Sequence, residues 1–512
     1  MNKSENINSK NSYKNVSEPP GGAGVRAARN SVYLMGAQLA SRLLGMIISI
    51  WLAHYLGDTV FGRYVFIITI VGFARIASNF GMDQVLIRAV AKDRERSNIY
   101  LGSGLISRFG IFILGFIPLL IFIALIDKPP DLEMGMVIGY LAVVFISMNQ
   151  TFDNVFNGFE RFGFPAAMQL AAKIVQIGLI VAAIQLNLGL LWIVSTLVIS
   201  ELVRALFLWT ASLKNWGVPH VTVDMIRRLT FQSVPFVGIT ILSMIQSRSD
   251  VIILGLFSED EVVGWYGAAI NLMFAFLIIS SSASNALFPV FSRLSGSDKK
   301  EKMISVYHKS VKLLLILGLP VALSITMLSG RIISLLYPET FKPAALVLAI
   351  TIWAIPVIFV NSTIIRIINA FHREKKLFMI VLICAVTGVI VNIILIPPFA
   401  EIGAAITNLF IASLSTVLCV IVVEKSILKL KYPVKSLLKA ALALIAMAGC
   451  IILLKNASWF LLIPAGAAVY AAGILLFRVI DPDELKLIWN VFIPGRRVTK
   501  EMITGDKNDE NP

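Results

Sequence analysis

The sequence predicts an all-α, polytopic membrane protein of about 14 transmembrane helices, arranged as two pseudo-symmetric six-helix bundles around a central cavity plus a C-terminal helix pair. Three observations carry that expectation. Of 512 residues, 57% are hydrophobic and only 15% charged, and apolar runs near the ~20 residues that cross a bilayer recur along almost the whole chain. Residues 31–70 and 233–272 are copies of one another. Basic and acidic connections alternate along the chain, as the positive-inside rule requires.

The repeat is the strongest of the three. Aligned without a gap, its halves share Ser31/Ser233, Gly36/Gly238, Ser41/Ser243, Asp58/Asp260, Gly62/Gly264 and Tyr64/Tyr266, beside Val32/Val234, Ile50/Ile252, Leu52/Leu254 and Val60/Val262. Chance likeness between apolar helices favours Leu, Ile and Val, not Gly, Asp, Tyr and Ser. A second pair, NGFERF from Asn157 and NAFHRE from Asn369, shares Asn, Phe and Arg at a similar offset. Duplicated bundles in a membrane chain point to a transporter whose halves move against each other.

The expected helices run over 30–55, 61–81, 100–126, 134–157, 165–185 and 190–212, then 231–256, 263–291, 309–335, 344–370, 377–396 and 402–424, with a last pair at 436–454 and 458–479. This divides the chain into a polar tail (1–29), an N-terminal lobe (30–212), a linker (213–230), a C-terminal lobe (231–424), the extra pair (436–479) and a second tail (480–512). The tails have the composition of disordered segments, and the first lacks the apolar core of a cleaved signal peptide. Pro235, Pro320, Pro356 and Pro464 fall inside expected helices and can bend them. Serines such as Ser280, Ser281, Ser282 and Ser284 suit close helix packing.

The formal charge of +15 resides largely in alternate loops and does not indicate nucleic acid. Arg88, Lys92, Arg94 and Arg96, then Lys214, Arg227 and Arg228, then Lys299, Lys300 and Lys302, then Arg373, Lys375 and Lys376 mark one side; Asp58, Asp127, Asp131, Glu133, Glu259, Asp260, Glu261 and Glu401 mark the other. Both termini are thereby expected in the cytoplasm of a cell-membrane protein, with the basic loops touching anionic lipid headgroups. Cys384, Cys419 and Cys450 fall singly in apolar helices, which gives neither a disulfide framework nor a zinc spacing. No catalytic constellation, metal motif or cofactor motif occurs, and the connections leave no room for a soluble catalytic domain, so an enzyme is not expected.

Charges inside the expected helices are the candidate functional residues, since each costs about 2.5–3.5 kcal/mol to insert. Glu201 and Arg204 share a helical face and are expected to pair. Arg108 and Arg204 lie near enough to the basic ends to snorkel. Arg42, Arg75 and Arg248 lie deeper, and the nearest acid in the same helix, Asp250, points about 200° round from Arg248. Facing one cavity, these three would bind an anionic group, above all phosphate or pyrophosphate, which guanidinium grips bidentately; alternatively they form buried pairs between helices. Asp153, Asp250 and Glu201 are candidates for salt-bridge partners or for carriers of a coupling ion.

Several stretches carry a family resemblance: LAHYLGDTVFGRYVFI, GMDQVLIRAVAKD, NGFERFGFPA, the segment from Ser233 to Ala269, FPVFSRL and VNIILIPPFAEIGAAITNL. Over roughly residues 30–480 the chain resembles the polysaccharide-type flippases, the Wzx group, of the multidrug/oligosaccharidyl-lipid/polysaccharide exporter superfamily. The resemblance implies alternating access and export of an oligosaccharide on a polyprenyl phosphate or pyrophosphate. It implies cavity arginines that hold the carrier's phosphates, which map best onto Arg42, Arg75 and Arg248, and a tail-binding role for 436–479 like that of the extra pair in lipid II flippases. Lipid-linked oligosaccharide and membrane lipids would be its partners, with a polysaccharide polymerase and glycosyltransferases as protein partners. The rival readings are a proton- or sodium-coupled multidrug antiporter of the same superfamily, which should favour an acidic cavity, and a membrane glycosyltransferase or polymerase, which would need acidic catalytic residues or a large external loop.

Overall fold

The computed structural model describes residues 23–295, 300–430, 432–454 and 457–479. Of the two expected tails, 1–22 and 480–512 lie outside the described residues. The N-terminal half comprises α1 (Ala23–Asn79), α2 (Met82–Lys92), α3 (Ser97–Leu125), α4 (Pro130–Gly158), α5 (Gly163–Gln185) and α6 (Gly189–Trp216). The C-terminal half comprises α7 (Val223–Phe257), α8 (Asp260–Ser295), α9 (Lys300–Leu336), a 3-10 turn (Glu339–Phe341), α10 (Ala344–Thr351), α11 (Ala354–Ala370) and α12 (Glu374–Ser426). The pair α13 (Val434–Leu453) and α14 (Trp459–Leu476) follows. Ten helical stretches among the described residues are long and apolar enough to cross a membrane, and the chain is a multi-pass membrane protein.

Two elements are more than twice as long as a span requires. The 57 residues of α1 would cover about 85 Å as a straight helix, against a hydrocarbon core of about 30 Å. The chain breaks at Gly57, whose φ of 71° and ψ of 177° leave the helical region. The break in α12 falls at Ala400 (φ 45°), just after Pro397 and Pro398. Both breaks sit at the acidic end, and both have a counterpart in the other half: α7 gives way to α8 beside Glu259, and α5 to α6 around Asn187 and Gly189, which are also left-handed.

The short repeat is reproduced in the backbone. Glu160 (φ 61°) and His372 (φ 53°) are both left-handed non-glycine residues. In each, the following arginine donates its N–H five residues back, Arg161 to Phe156 O (3.0 Å) and Arg373 to Ile368 O (3.1 Å). That is a Schellman-type helix stop, and the matching Asn-x-Phe-x-Arg sequences encode it twice.

Differences from the expectation have local causes. Residues 82–92, read as a basic loop, form α2 because Met82, Val85, Leu86 and Val90 make one buried face while Arg88 and Lys92 stay exposed. The expected single helix over 344–370 is split between α10 and α11. Within the expected linker, residues 223–230 are the first turns of α7, with Met225 and Leu229 buried against Val85, Leu101 and Phe156. The path into α7 is pinned to α3: His220 N–H donates to Asn98 O (3.1 Å), and a Cβ on Gly102 would lie 2.3 Å from His220 O.

The core shows how the halves meet. Toward the acidic end one apolar cluster unites them, with Phe61, Phe66 and Ile67 of α1 packed into the same core as Leu254, Tyr266, Phe341 and Ile352. Toward the basic end there are two, one around Phe152 and Phe156 that also takes in Met225 and Leu229 from the first turns of α7, and one around Phe291, Tyr307 and Ile367 within the C-terminal half. A fourth cluster joins α13 and α14 to α9 through Ile316, Leu328, Met447 and Tyr470. The halves are therefore closed against each other at the acidic end, while at the basic end they meet where the first turns of α7 pack on α2 and α3.

Candidate functional site: arginines along the seam between the halves

Closure at the acidic end rests on the repeat's own glycines. A Cβ on Gly62 would lie 1.6 Å from the carbonyl oxygen of Asp260, and one on Gly264 would lie 2.4 Å from that of Asp58. Asp58/Asp260 and Gly62/Gly264 are matched positions of the two copies, so the seal is a two-fold contact in which each copy's glycine admits the other's backbone. Arg63 clasps it: its Nε donates to Asp260 Oδ2 (2.8 Å) and its Nη1 to Asp131 Oδ2 (2.8 Å), joining three elements. Lys128 Nζ lies 3.5 Å from Asp260 Oδ1, and Trp265 Nε1 donates to Asp58 Oδ2 at 3.4 Å. Arg63 was missed in the sequence because its repeat partner is Trp265, so the alignment does not mark it.

Most intramembrane charge is consumed by pairing inside the N-terminal half. Arg108, only 1% exposed, donates to Asp83 Oδ1 (2.8 Å), Asn79 Oδ1 (3.0 Å) and Ser147 O (3.0 Å). Asp83 accepts in addition from Asn79 (2.7 Å), Gln150 (3.0 Å) and Asn154 (2.6 Å). Arg204 bridges Asp153 at 2.6 Å and Glu201 at 3.7 Å, and Asn149 Nδ2 donates to Glu201 Oε2 at 2.8 Å. Arg108 and Arg204 thus do not snorkel to the basic end. They are buried and paired, because α2 and α4 bring acids to them that a count of residues to the helix end does not reveal. Asp153 and Glu201 take the salt-bridge role. Breaking such a pair strands a buried charge and costs about 3–5 kcal/mol; Arg108→Leu is expected to lower the midpoint of thermal unfolding in detergent sharply, whereas Arg88→Leu, on an exposed position of α2, should leave it near wild type.

The three arginines singled out in the sequence behave differently. Among the described residues neither the Arg42 nor the Arg75 guanidinium makes an ion pair or a hydrogen bond, and both residues are exposed. Arg248, half-buried, lies over the ring of Phe274 at 4.8 Å rather than on Asp250. Each shares a helix face with a residue that meets the opposite half. Arg42 is two turns from Ser49 on one face of α1, and Ser49 Oγ accepts from Asn271 Nδ2 of α8 at 2.9 Å. Arg75 follows Gly72 by three residues, and a Cβ on Gly72 would meet Met244 Cε of α7 at 3.7 Å. Arg248 follows Met244 by one turn, and Phe274 follows Asn271 by three residues on α8. Among the described residues two of these guanidiniums therefore have no ion pair or hydrogen bond and the third lies on an aromatic ring, whereas Arg63, Arg108 and Arg204 are bonded to acids.

Asp250 is 7% exposed and accepts from the Tyr266 hydroxyl and, through Oδ1, from Val251 N–H (2.8 Å). Among the described residues no cation forms a salt bridge with it. Arg366, which the sequence analysis passed over, donates from Nε to Ser284 Oγ (2.8 Å) and lies 5.8 Å from the Phe288 ring centre, on the α8–α11 contact.

These features define a duplicated helical membrane fold whose halves meet along a seam sealed at the acidic end by paired glycines. The chain belongs to the family described as polysaccharide biosynthesis protein, whose model matches residues 27–295; the MatE model matches residues 235–394. Among curated relatives, the chain is 22% identical over 406 residues to "Probable flippase AglR" of Haloferax volcanii, covering 78% of this chain and 84% of that one. It is 23% identical over 398 residues to "Probable low-salt glycan biosynthesis flippase Agl15" of the same organism, covering 76% and 82%. Among solved structures it is similar in fold to the lipid II flippase MurJ in an inward closed conformation, with a TM-score of 0.74 at 18% identity over 87% of this chain and 99% of that one. An inward-facing multidrug resistance MATE transporter gives a TM-score of 0.60 at 13% identity over 75% and 94%.

Proposed function

We propose that the protein is a flippase, not an enzyme, that carries polyprenyl-(pyro)phosphate-linked oligosaccharide from the cytoplasmic to the outer leaflet by alternating access. The observation that carries this reading is the sorting of the deep arginines. Arg108 and Arg204 inside the N-terminal half and Arg63 at the seal are spent on acids, whereas Arg42, Arg75 and Arg248 are not and are left for an anion, which in a mobile seam means the phosphates of a carrier lipid. A glycan with phosphate cannot cross hydrocarbon unaided, while its isoprenoid tail never has to leave it. The relatives named as flippases support the same direction. In this reading 30–212 and 231–424 are the moving lobes, 213–230 joins them, and 436–479 flanks the path of the tail. The basic end faces the cytoplasm, so the packing described above is a state sealed toward the outside.

The test is transfer of a fluorescent or isotope-labelled lipid-linked oligosaccharide across proteoliposomes holding the purified protein. Protein-dependent transfer is expected; efflux of a cationic dye without lipid transfer would instead establish the multidrug antiporter, the reading that the MatE match favours. Resetting of the seam is assigned to Asp250, a buried acid without a salt bridge among the described residues that lies two residues from Arg248. Asp250→Asn is expected to cut transfer about tenfold and to abolish its dependence on an imposed proton or sodium gradient. Dependence on the gradient that survives in Asp250→Asn would remove this residue from the coupling.

A further inference from the structure

An open cavity lies at the acidic end of the N-terminal half, outside the seam, with a volume of about 550 Å³, within the size range of small-molecule sites. Its walls come from the outer turns of α1 (Tyr55, Val60), the start of α4 (Asp131) and the α5–α6 turn (Gly189, Trp192). Two features separate it from a chance surface dent. The turn that forms one wall is fixed by left-handed Asn187 and Gly189 and by Gly189 N–H donating to the Tyr55 hydroxyl at 3.3 Å, so Tyr55 is held as a wall. Trp192 is 54% exposed at the mouth, which leaves a broad apolar plane next to a carboxylate. Asp131 gives only Oδ2 to Arg63, so its second oxygen remains an acceptor.

The chemistry is the complement of the seam's. No cation lines this cavity, and the lining acid disfavours phosphate. Aromatic planes that pack on the C–H face of a pyranose, with a carboxylate to accept hydroxyl protons, suit an uncharged sugar. We propose that this cavity is a saccharide subsite on the acidic face, which takes neutral sugar residues of the glycan while the seam arginines take the phosphate. An amphiphilic substrate is then met by two separate sites matched to its two polar parts. This assignment rests on the flippase reading for its physiological ligand, but the site itself is tested without transport.

The full-length protein in nanodiscs is titrated with neutral tetrasaccharides, maltotetraose and chitotetraose, with inorganic pyrophosphate as competitor. Saturation-transfer NMR and tryptophan fluorescence are the readouts. Binding of at least one tetrasaccharide is expected, unaffected by pyrophosphate, weakened at least tenfold by Trp192→Ala, weakened less by Trp192→Phe, and weakened by Asp131→Asn. No saturation transfer to either saccharide, or transfer unchanged by Trp192→Ala, overturns the proposal. Saccharide binding with these properties in a protein that fails to move lipid-linked oligosaccharide would leave this site standing and remove the flippase reading. Normal lipid transfer by a wild type that binds neither saccharide would do the reverse.

Discussion

Arg75→Ala is expected to lower transfer of lipid-linked oligosaccharide ten- to hundredfold while the protein still inserts and purifies as a folded species. Arg75 is midway along the α1–α2 segment between Asp58 and Lys92 and has no partner among the described residues, so its removal strands no buried acid. What is lost is a charge-assisted contact with the ligand, about 1.5–3 kcal/mol, each 1.4 kcal/mol of which is a factor of about ten. Arg42→Ala should behave alike. Arg248→Ala should cost less, because its guanidinium is already engaged by Phe274. The pattern to look for is loss of transport with thermal stability intact, the opposite of Arg108→Leu. Wild-type transport in all three alanine variants would take these residues out of the mechanism.

Gly62→Val is expected to abolish transport for a different reason. The carbonyl of Asp260 occupies the place of a side chain at position 62, so any Cβ there prevents the acidic end from closing. Gly264→Val should act in the same way against Asp58, since the contact is two-fold. The effect is read with Asn271→Cys, a seam position beyond the seal, in a background without Cys384, Cys419 and Cys450. An impermeant thiol reagent added from the acidic side should leave the parent unlabelled and should label the Gly62→Val variant. Equal protection in both would mean that the glycine contact is not what shuts the seam.

The repeat was legible because its physical demands recur at the same positions. Gly62 and Gly264 make one contact from two sides, and Glu160 and His372 end two helices with the same turn. Residue identity alone exposes such requirements. The fate of the charges was only half legible. That Arg248 and Asp250 do not pair follows from helix geometry, and so does the approach of Glu201 to Arg204. That Arg108 finds Asp83 depends on the break at Phe80 and Gly81, both left-handed, which turns a presumed loop into α2 and carries Asp83 under α3. The amides that complete this network, Asn79, Gln150 and Asn154, follow no periodicity that separates a buried hydrogen-bonding residue from an exposed one. Nothing in a single sequence says which helix lies opposite Arg42; the Ser49–Asn271 contact supplies that.

The central claim is that the seam recognises phosphate through guanidiniums left unpaired by the fold. Binding of a polyprenyl phosphate and of the matching polyprenol to the purified protein, compared by native mass spectrometry, tests it most directly, because the two ligands share the tail and differ only in the anion. The account predicts that the wild type prefers the phosphate at least tenfold and that Arg42→Ala combined with Arg75→Ala erases the preference without changing polyprenol binding. Equal binding of both lipids by the wild type, or a preference that survives in the double variant, would contradict it.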